Sequence, residues 1–164
     1  MNTTWQINSV RDEAAIAAVR ALLQEYWDFF GFTRCFQNFG DELEGLPGAY
    51  APPGGRLALA TIDGHPAGCI ALRRVDSARA EAKRLYVRPA FRGRGLGRAL
   101  MQWAMVEARA AGYSEIVGDT MPEMHGALTL YDRMGFERVG TGTPVQPTPF
   151  PQVSAEPILI RIKL

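Results

Sequence analysis

The 164-residue sequence predicts an α/β fold, a mixed and mostly antiparallel sheet of about seven strands with helices on both faces. Three observations carry this prediction. A three-stranded meander is flanked by amphipathic helical stretches, a strand–helix–strand succession follows it, and a terminal pair of strand-like runs closes the chain. In order, Thr4 to Val10 alternates like a strand. Ile16, Val19, Leu22, Leu23, Tyr26, Trp27 and Phe30 then recur at three- and four-residue steps, which predicts a helix from about Asp12 to Phe30 ended by Gly31. A short helix is expected between Arg34 and Glu44, and the Gly/Pro cluster from Gly45 to Gly55 reads as a surface connection. Arg56 to Ile62 and Ala67 to Val75 are strand-like runs around Asp63-Gly64, a two-residue hairpin signal. Ala80 to Val87 completes the meander, and simple alternation puts Lys83, Leu85 and Val87 on one face and Arg84 and Tyr86 on the other.

The second half follows the same logic. Leu96, Leu100, Trp103, Val106 and Ala110 mark one face of a helix from about Gly95 to Ala111, capped by Gly112. A strand over Glu115 to Asp119 comes next, then a helix with Pro122 in its first turn that stops at Gly135. Phe136 to Val139 and Ile158 to Leu164 are closing strands. Residues 141–157 hold five of the eleven prolines and read as an excursion inside one domain spanning 1–164.

The most informative segment is Arg88-Pro-Ala-Phe-Arg92-Gly93-Arg94-Gly95-Leu96-Gly97-Arg98, between a strand and a helix. Three glycines in five positions let backbone approach a ligand without Cβ interference. A helix beginning there adds unpaired first-turn N–H groups and about half a positive charge, which suits a pyrophosphate, with Arg92, Arg94 and Arg98 as counter-charge. Spacing excludes two other phosphate loops. Position 98 is arginine where a dinucleotide fingerprint needs glycine, and no Gly-Lys-Ser/Thr of a Walker A loop occurs.

Arg92, Gly95 and Gly97 fit Arg-x-x-Gly-x-Gly, and this loop resembles the acyl-CoA pyrophosphate loop of the GNAT N-acetyltransferase superfamily. Its flanks match too. Glu81 to Pro89 resembles the family's strand before the loop, and Leu128-Thr-Leu-Tyr131-Asp-Arg-Met-Gly135-Phe136 resembles its "ALYxxLGF" helix end, so the likeness is close over residues 56–139. The resemblance implies a sheet in which the strand ending near Val87 splays from the one ending near Asp119, with the pantetheine arm of acetyl-CoA pairing with free backbone in the gap. It implies cofactor contacts from Leu85, Tyr86 and Val87 and from Arg92, Gly93, Arg94, Gly95, Leu96, Gly97 and Arg98. It also implies Tyr131 as the acid that protonates the leaving thiolate and the Val87 N–H as oxyanion donor. For the base, Asp119 and Glu81 are alternatives, with Glu123 in the following loop. Met124 stands where the family often has an asparagine that contacts the cofactor arm, a departure that makes the pocket more apolar.

Composition bounds the function. A net charge of +1 gives no global pull toward nucleic acid or an anionic membrane, and neither an RNA-binding aromatic motif nor an apolar run of ~18 residues is present. A cytoplasmic enzyme is expected. Cys35 and Cys69 lack metal or CxxC spacing, as do His65 and His125, so two reduced thiols and no metal are expected. Phe29, Phe32, Phe36 and Phe39 exceed what one helix face buries, and point to an acceptor-pocket wall or a homodimer contact. The expected reaction is acetyl transfer from acetyl-CoA to the amine of a small or amino-acid-like acceptor. Protein N-terminal or lysine acetylation, and acyl-CoA sensing without turnover, are the alternatives.

Overall fold

The structure, a computed structural model, describes residues 4–29, 39–122, 124–141 and 157–164. Its elements are β1 (Trp5–Ser9), α1 (Glu13–Phe29), α2 (Phe39–Glu44), β2 (Arg56–Ile62), β3 (His65–Arg74), β4 (Arg79–Val87), α3 (Leu96–Ala110), β5 (Glu115–Thr120), α4 (His125–Met134), β6 (Glu137–Thr141) and β7 (Ile158–Lys163). The seven strands form one sheet in the order β1-β2-β3-β4-β5-β7-β6. Among the described strands only β4 and β5 run parallel. Gly31, Cys35, the first part of the expected helix from Arg34, Phe30, Phe32, Phe36, Glu123 and nearly all of the 141–157 excursion lie outside the described residues.

Local chemistry explains the boundaries. The Asp12 carboxylate accepts the Ala15 N–H at 2.8 Å and caps α1. Asp63 and Gly64 have φ of 50° and 78°, the positive pair of a type I′ hairpin. Gly68 lets β3 approach β4, since a Cβ there would lie 2.6 Å from the Tyr86 carbonyl.

Two apolar clusters cover the two faces. One contains Leu96, Leu100, Met101, Ala104 and Ala108 of α3 packed on Ile70, Leu72 and Ile116. The other contains Ile16, Val19, Leu22, Leu23, Tyr26 and Trp27 of α1 with Leu57, Cys69 and Tyr86. Phe39 belongs to this second core, its ring stacked 3.8 Å from that of Trp27. Fully burying one such large apolar side chain stabilises by about 1.5–3 kcal/mol.

Three expectations are corrected. The buried face of α3 follows Leu96, Leu100, Ala104 and Ala108 at four-residue steps, while Val106 is 60% exposed. The Pro122 signal marks a turn, and α4 starts at His125 with Met124 as N-cap. The connection from Gly45 to Gly55 holds a 3-10 turn that buries Tyr50.

Candidate active site

Strand β4 leaves β5 partway along its length. The parallel pairing runs Arg79–Glu115, Ala80–Ile116 and Glu81–Val117 and then stops, while β4 stays paired with β3 as far as Val87. The β5-facing edge of β4 is therefore open beyond Glu81. The Arg88 N–H donates to the Ala67 carbonyl at 2.9 Å. Backbone groups alternate sides along a strand, so the N–H and C=O of Val87 face the open edge, as do those of Leu85 two residues earlier.

A β-bulge decides which side chains join them. Ala71 pairs with Lys83 and Cys69 with Tyr86, so β4 has one more residue than β3 in this interval. Arg84 takes up the excess at φ 59°, in the left-handed region. Beyond it the faces are reset. Leu85 and Val87 lie with the α3 cluster and Tyr86 with the α1 cluster, whereas Lys83 sits 3.6 Å from Glu81 on the α1 side. The alternation expected from sequence, with Lys83 beside Leu85 and Val87, is broken by this residue.

After β4 the chain forms a short 3-10 turn (Pro89–Phe91) and then the glycine loop into α3. Gly93 and Gly95 have φ of 75° and 84°. Gly95 is the N-cap of α3, a conformation that costs a side-chain-bearing residue about 1–2 kcal/mol. The loop and the open strand edge border a common cleft of about 490 Å³, lined by Leu85, Tyr86, Val87, Arg92, Gly93, Gly95, Leu96 and Gly97. The opposite wall comes from α4 through His125, Gly126, Ala127 and Leu130 and from α1 through Tyr26 and Phe29. Eight of the ten expected cofactor contacts thus lie together; Arg94 and Arg98 are outside the lining.

The arginines divide by task. Arg84 makes a bidentate pair with Glu42 at 2.9 and 2.7 Å, and Tyr50 donates to that carboxylate at 2.7 Å. Burial opposes the charge on Arg84, but the Glu42 hydrogen bonds outweigh it and raise its pKa. Arg88 clamps Glu25 of α1 at 2.9 and 2.6 Å and the Pro66 carbonyl at 2.7 Å. Arg92 donates to the Val87 carbonyl at 2.8 Å and lies over the Phe29 ring at 4.9 Å. Arg84 and Arg88 are thus paired within the fold, and of the three expected counter-charges Arg92 is the one that lines the cleft.

None of the three expected catalytic side chains is among the residues that line the cleft. Tyr131 is 9% exposed and packs on Phe136 at 5.3 Å between ring centroids. Burial raises the pKa of its hydroxyl, and Tyr26 and Asp119 push the same way, so it keeps its proton at neutral pH. Asp119 lies on β5 two residues past the last pair with β4. Burial raises its pKa, opposed by Lys83, and its Oδ2 is buried without a hydrogen-bond partner among the described residues. Glu81 is fully buried, with Oε2 accepting from Arg73 Nε at 2.7 Å. Tyr26, which lines the cleft, feels Asp119 as well. Asp119 stands in β5, five residues ahead of the N-cap of α4, so its position is not that of a helix-start anion.

The family model described as "Acetyltransferase (GNAT) family" matches residues 17–136. The chain belongs to the GNAT acetyltransferase family. An uncharacterized N-acetyltransferase of Schizosaccharomyces pombe is 35% identical over 149 residues, covering 90% of each chain. A bacterial relative, an IAA acetyltransferase of Azospirillum brasilense, is 32% identical over 66% of this chain and 71% of its own. A Streptococcus agalactiae acetyltransferase shares the fold with TM-score 0.78 at 21% identity over 98% of both chains. So does a Salmonella typhimurium protein solved with its cofactor acetyl-CoA, with TM-score 0.76 at 19% identity over 98% of this chain and 94% of its own.

This GNAT chain is thus an acyltransferase. Tyr26 is the cleft residue that sequence reasoning assigned only to the core, because its spacing with Leu22, Leu23 and Trp27 is that of a buried helix face. Lys83 was likewise placed by alternation alone, and no local sequence signal marks the bulge that reassigns its neighbours. Among the described residues no helix is long and apolar enough to cross a membrane and no His/Cys/Asp/Glu group is arranged to hold a metal. Cys69 is buried, and that burial pushes its thiol up to about 12.

Proposed function

We propose that the protein transfers the acetyl group of acetyl-CoA to the amine of a small or amino-acid-like acceptor. The observation that carries this reading is the open β4 edge, where the Val87 N–H faces the same cleft as the α3 N-terminus and the Gly93–Gly97 loop. Loop amides and the first turn of α3 hold the pyrophosphate, and the edge at Leu85 and Val87 aligns the acyl arm. The acceptor amine must be neutral to attack, although a free alkylamine has a pKa of about 10. Asp119 is the base in this reading. Each carboxylate has one buried oxygen without a hydrogen-bond partner among the described residues, but Glu81 lies within the last β4–β5 pair with its Oε2 tied to Arg73, whereas Asp119 lies beyond that pair, where the strands have parted.

The amine nitrogen bonds to the thioester carbonyl carbon while its proton passes to Asp119. The oxyanion meets the Val87 N–H, a type of donor worth about 3–4 kcal/mol in other acyl-transfer enzymes. Collapse breaks the C–S bond, and Tyr131 gives its proton to the thiolate. Thiol release with acetyl-CoA and an amine panel tests the reading, with Tyr131→Phe as the decisive variant. The ring keeps its packing, so turnover should fall by ~10²-fold or more with acetyl-CoA affinity nearly unchanged. Turnover within threefold of the parent would remove Tyr131 from the mechanism, and absence of turnover with tight acetyl-CoA binding would make the protein a sensor.

A further inference from the structure

The point where β4 and β5 part carries a charged constellation that the acetyl-transfer reading leaves unexplained. Glu81 and Val117 are the last paired residues. One step on, the strands are still close, since a Cβ on Gly118 would lie 3.4 Å from the Ala82 carbonyl. Two steps on, Lys83 and Asp119 occupy equivalent register positions on the α1 side, one on each prong of the fork. The other cations near Asp119 are Arg73 and Arg84, and Arg73 Nη2 is buried without a hydrogen-bond partner among the described residues. Arg73 Nε donates to Glu81 at 2.7 Å, and Arg84 is bidentate on Glu42. Among the described residues Lys83, with a side chain only 9% exposed, has a single ion pair, at 3.6 Å to Glu81, beyond hydrogen-bond reach.

We propose that Lys83 is a positioning residue for the transfer reaction: its ammonium, set across the fork from Asp119, holds the Asp119 carboxylate in its charged, proton-accepting form. This rests on the reading of Asp119 as base. The groups facing Asp119 are Arg73 from β3, Glu81, Lys83 and Arg84 from β4, Tyr26 from α1 and Tyr131 from α4. Burial and Glu81 favour its protonated form; Lys83, Arg73 and Arg84 favour the charged one, with Lys83 the strongest of the three. Burial also lowers the pKa of Lys83, opposed by Glu81, so a carboxylate partner across the fork stabilises the charge of both groups.

The test is the pH dependence of kcat at saturating acceptor, which reports groups in the loaded enzyme. With Lys83→Met, the acid limb should move to higher pH by about one unit, the alkaline plateau should stay within about threefold, and KM for acetyl-CoA should not change. Lys83→Arg should restore the parental limb. A folded Lys83→Met whose acid limb coincides with the parent's overturns the proposal; should that variant not fold, Lys83→Gln is read by the same criterion. Asp119→Asn separates the two readings. Loss of the limb in Asp119→Asn with no movement in Lys83→Met sinks the Lys83 role alone, and a limb that survives Asp119→Asn sinks the base assignment and with it this inference.

Discussion

Before the bulge at Arg84, β4 presents charged side chains, Glu81, Lys83 and finally Arg84 itself, to neighbours on β3, on β4 itself and on α2. After it, the strand presents Leu85, Tyr86 and Val87, apolar or aromatic side chains and bare backbone, to the cleft. The first half works through buried ion pairs, whose removal by halves exposes an uncompensated charge. The second works through amide groups and the absence of Cβ atoms, which tolerate side-chain change but not backbone change. Substitutions in the two halves should therefore fail differently, in stability for one and in ligand response for the other.

The largest expected effect lies in the first half. Glu42→Ala leaves the Arg84 guanidinium, 7% exposed, without its carboxylate, and should lower unfolding free energy by about 3 kcal/mol, measured by denaturant titration. Its pH signature follows from direction. Burial would raise the Glu42 pKa, but the Arg84 hydrogen bond and charge outweigh it, so the folded value lies below the ordinary one. The stabilisation is thus complete above the unfolded glutamate range and is lost as pH falls through the folded value. Glu42→Gln should melt with a flatter acid dependence than the parent, and parallel pH curves would refute the coupling.

The loop should give a smaller and different loss. Acetyl-CoA at about 100 times its dissociation constant adds ~2.7 kcal/mol to unfolding. Gly95→Val should abolish that increment by placing a branched side chain where φ is 84° and where the phosphate would approach. A thermal shift retained by Gly95→Val would detach the loop from the ligand. The smallest effect is expected two residues on. Gly97 lies inside α3 without positive φ, and a Cβ there would meet Leu130 at 3.6 Å and Val87 at 3.9 Å, ordinary contacts. Gly97→Ala should raise stability by up to about 1 kcal/mol and keep most of the acetyl-CoA shift; losing the shift would mean that the backbone of α3's first turn must come closer to the ligand than Gly95 alone allows.

The same contrast explains what could be read in advance. The seven strands, the Asp63-Gly64 turn and the glycine loop are written in contiguous residues, so local propensity and spacing found them. The Lys83–Asp119 fork, the Glu42–Arg84 pair and Tyr26 in the cleft wall each join residues separated by tens of positions. Their signal is a register, and register on β4 depends on one unpaired residue that no local pattern announces. The α3 face was misassigned for a related reason. Three-residue steps to Trp103 and Val106 look as apolar as four-residue steps to Ala104 and Ala108, and only the packed sheet chooses between them.

The bulge has a consequence for how such a chain can diversify. An extra residue resets the phase of a strand, so the faces taken by side chains upstream of Arg84 do not dictate those taken at Leu85 to Val87. The downstream segment keeps its own ties, Val87 paired with Gly68 and Arg88 clamped on Glu25 of α1. Strand β4 is in effect jointed at Arg84, so that a substitution pattern on its charged segment and one on its cleft-lining segment can change independently in which face they use.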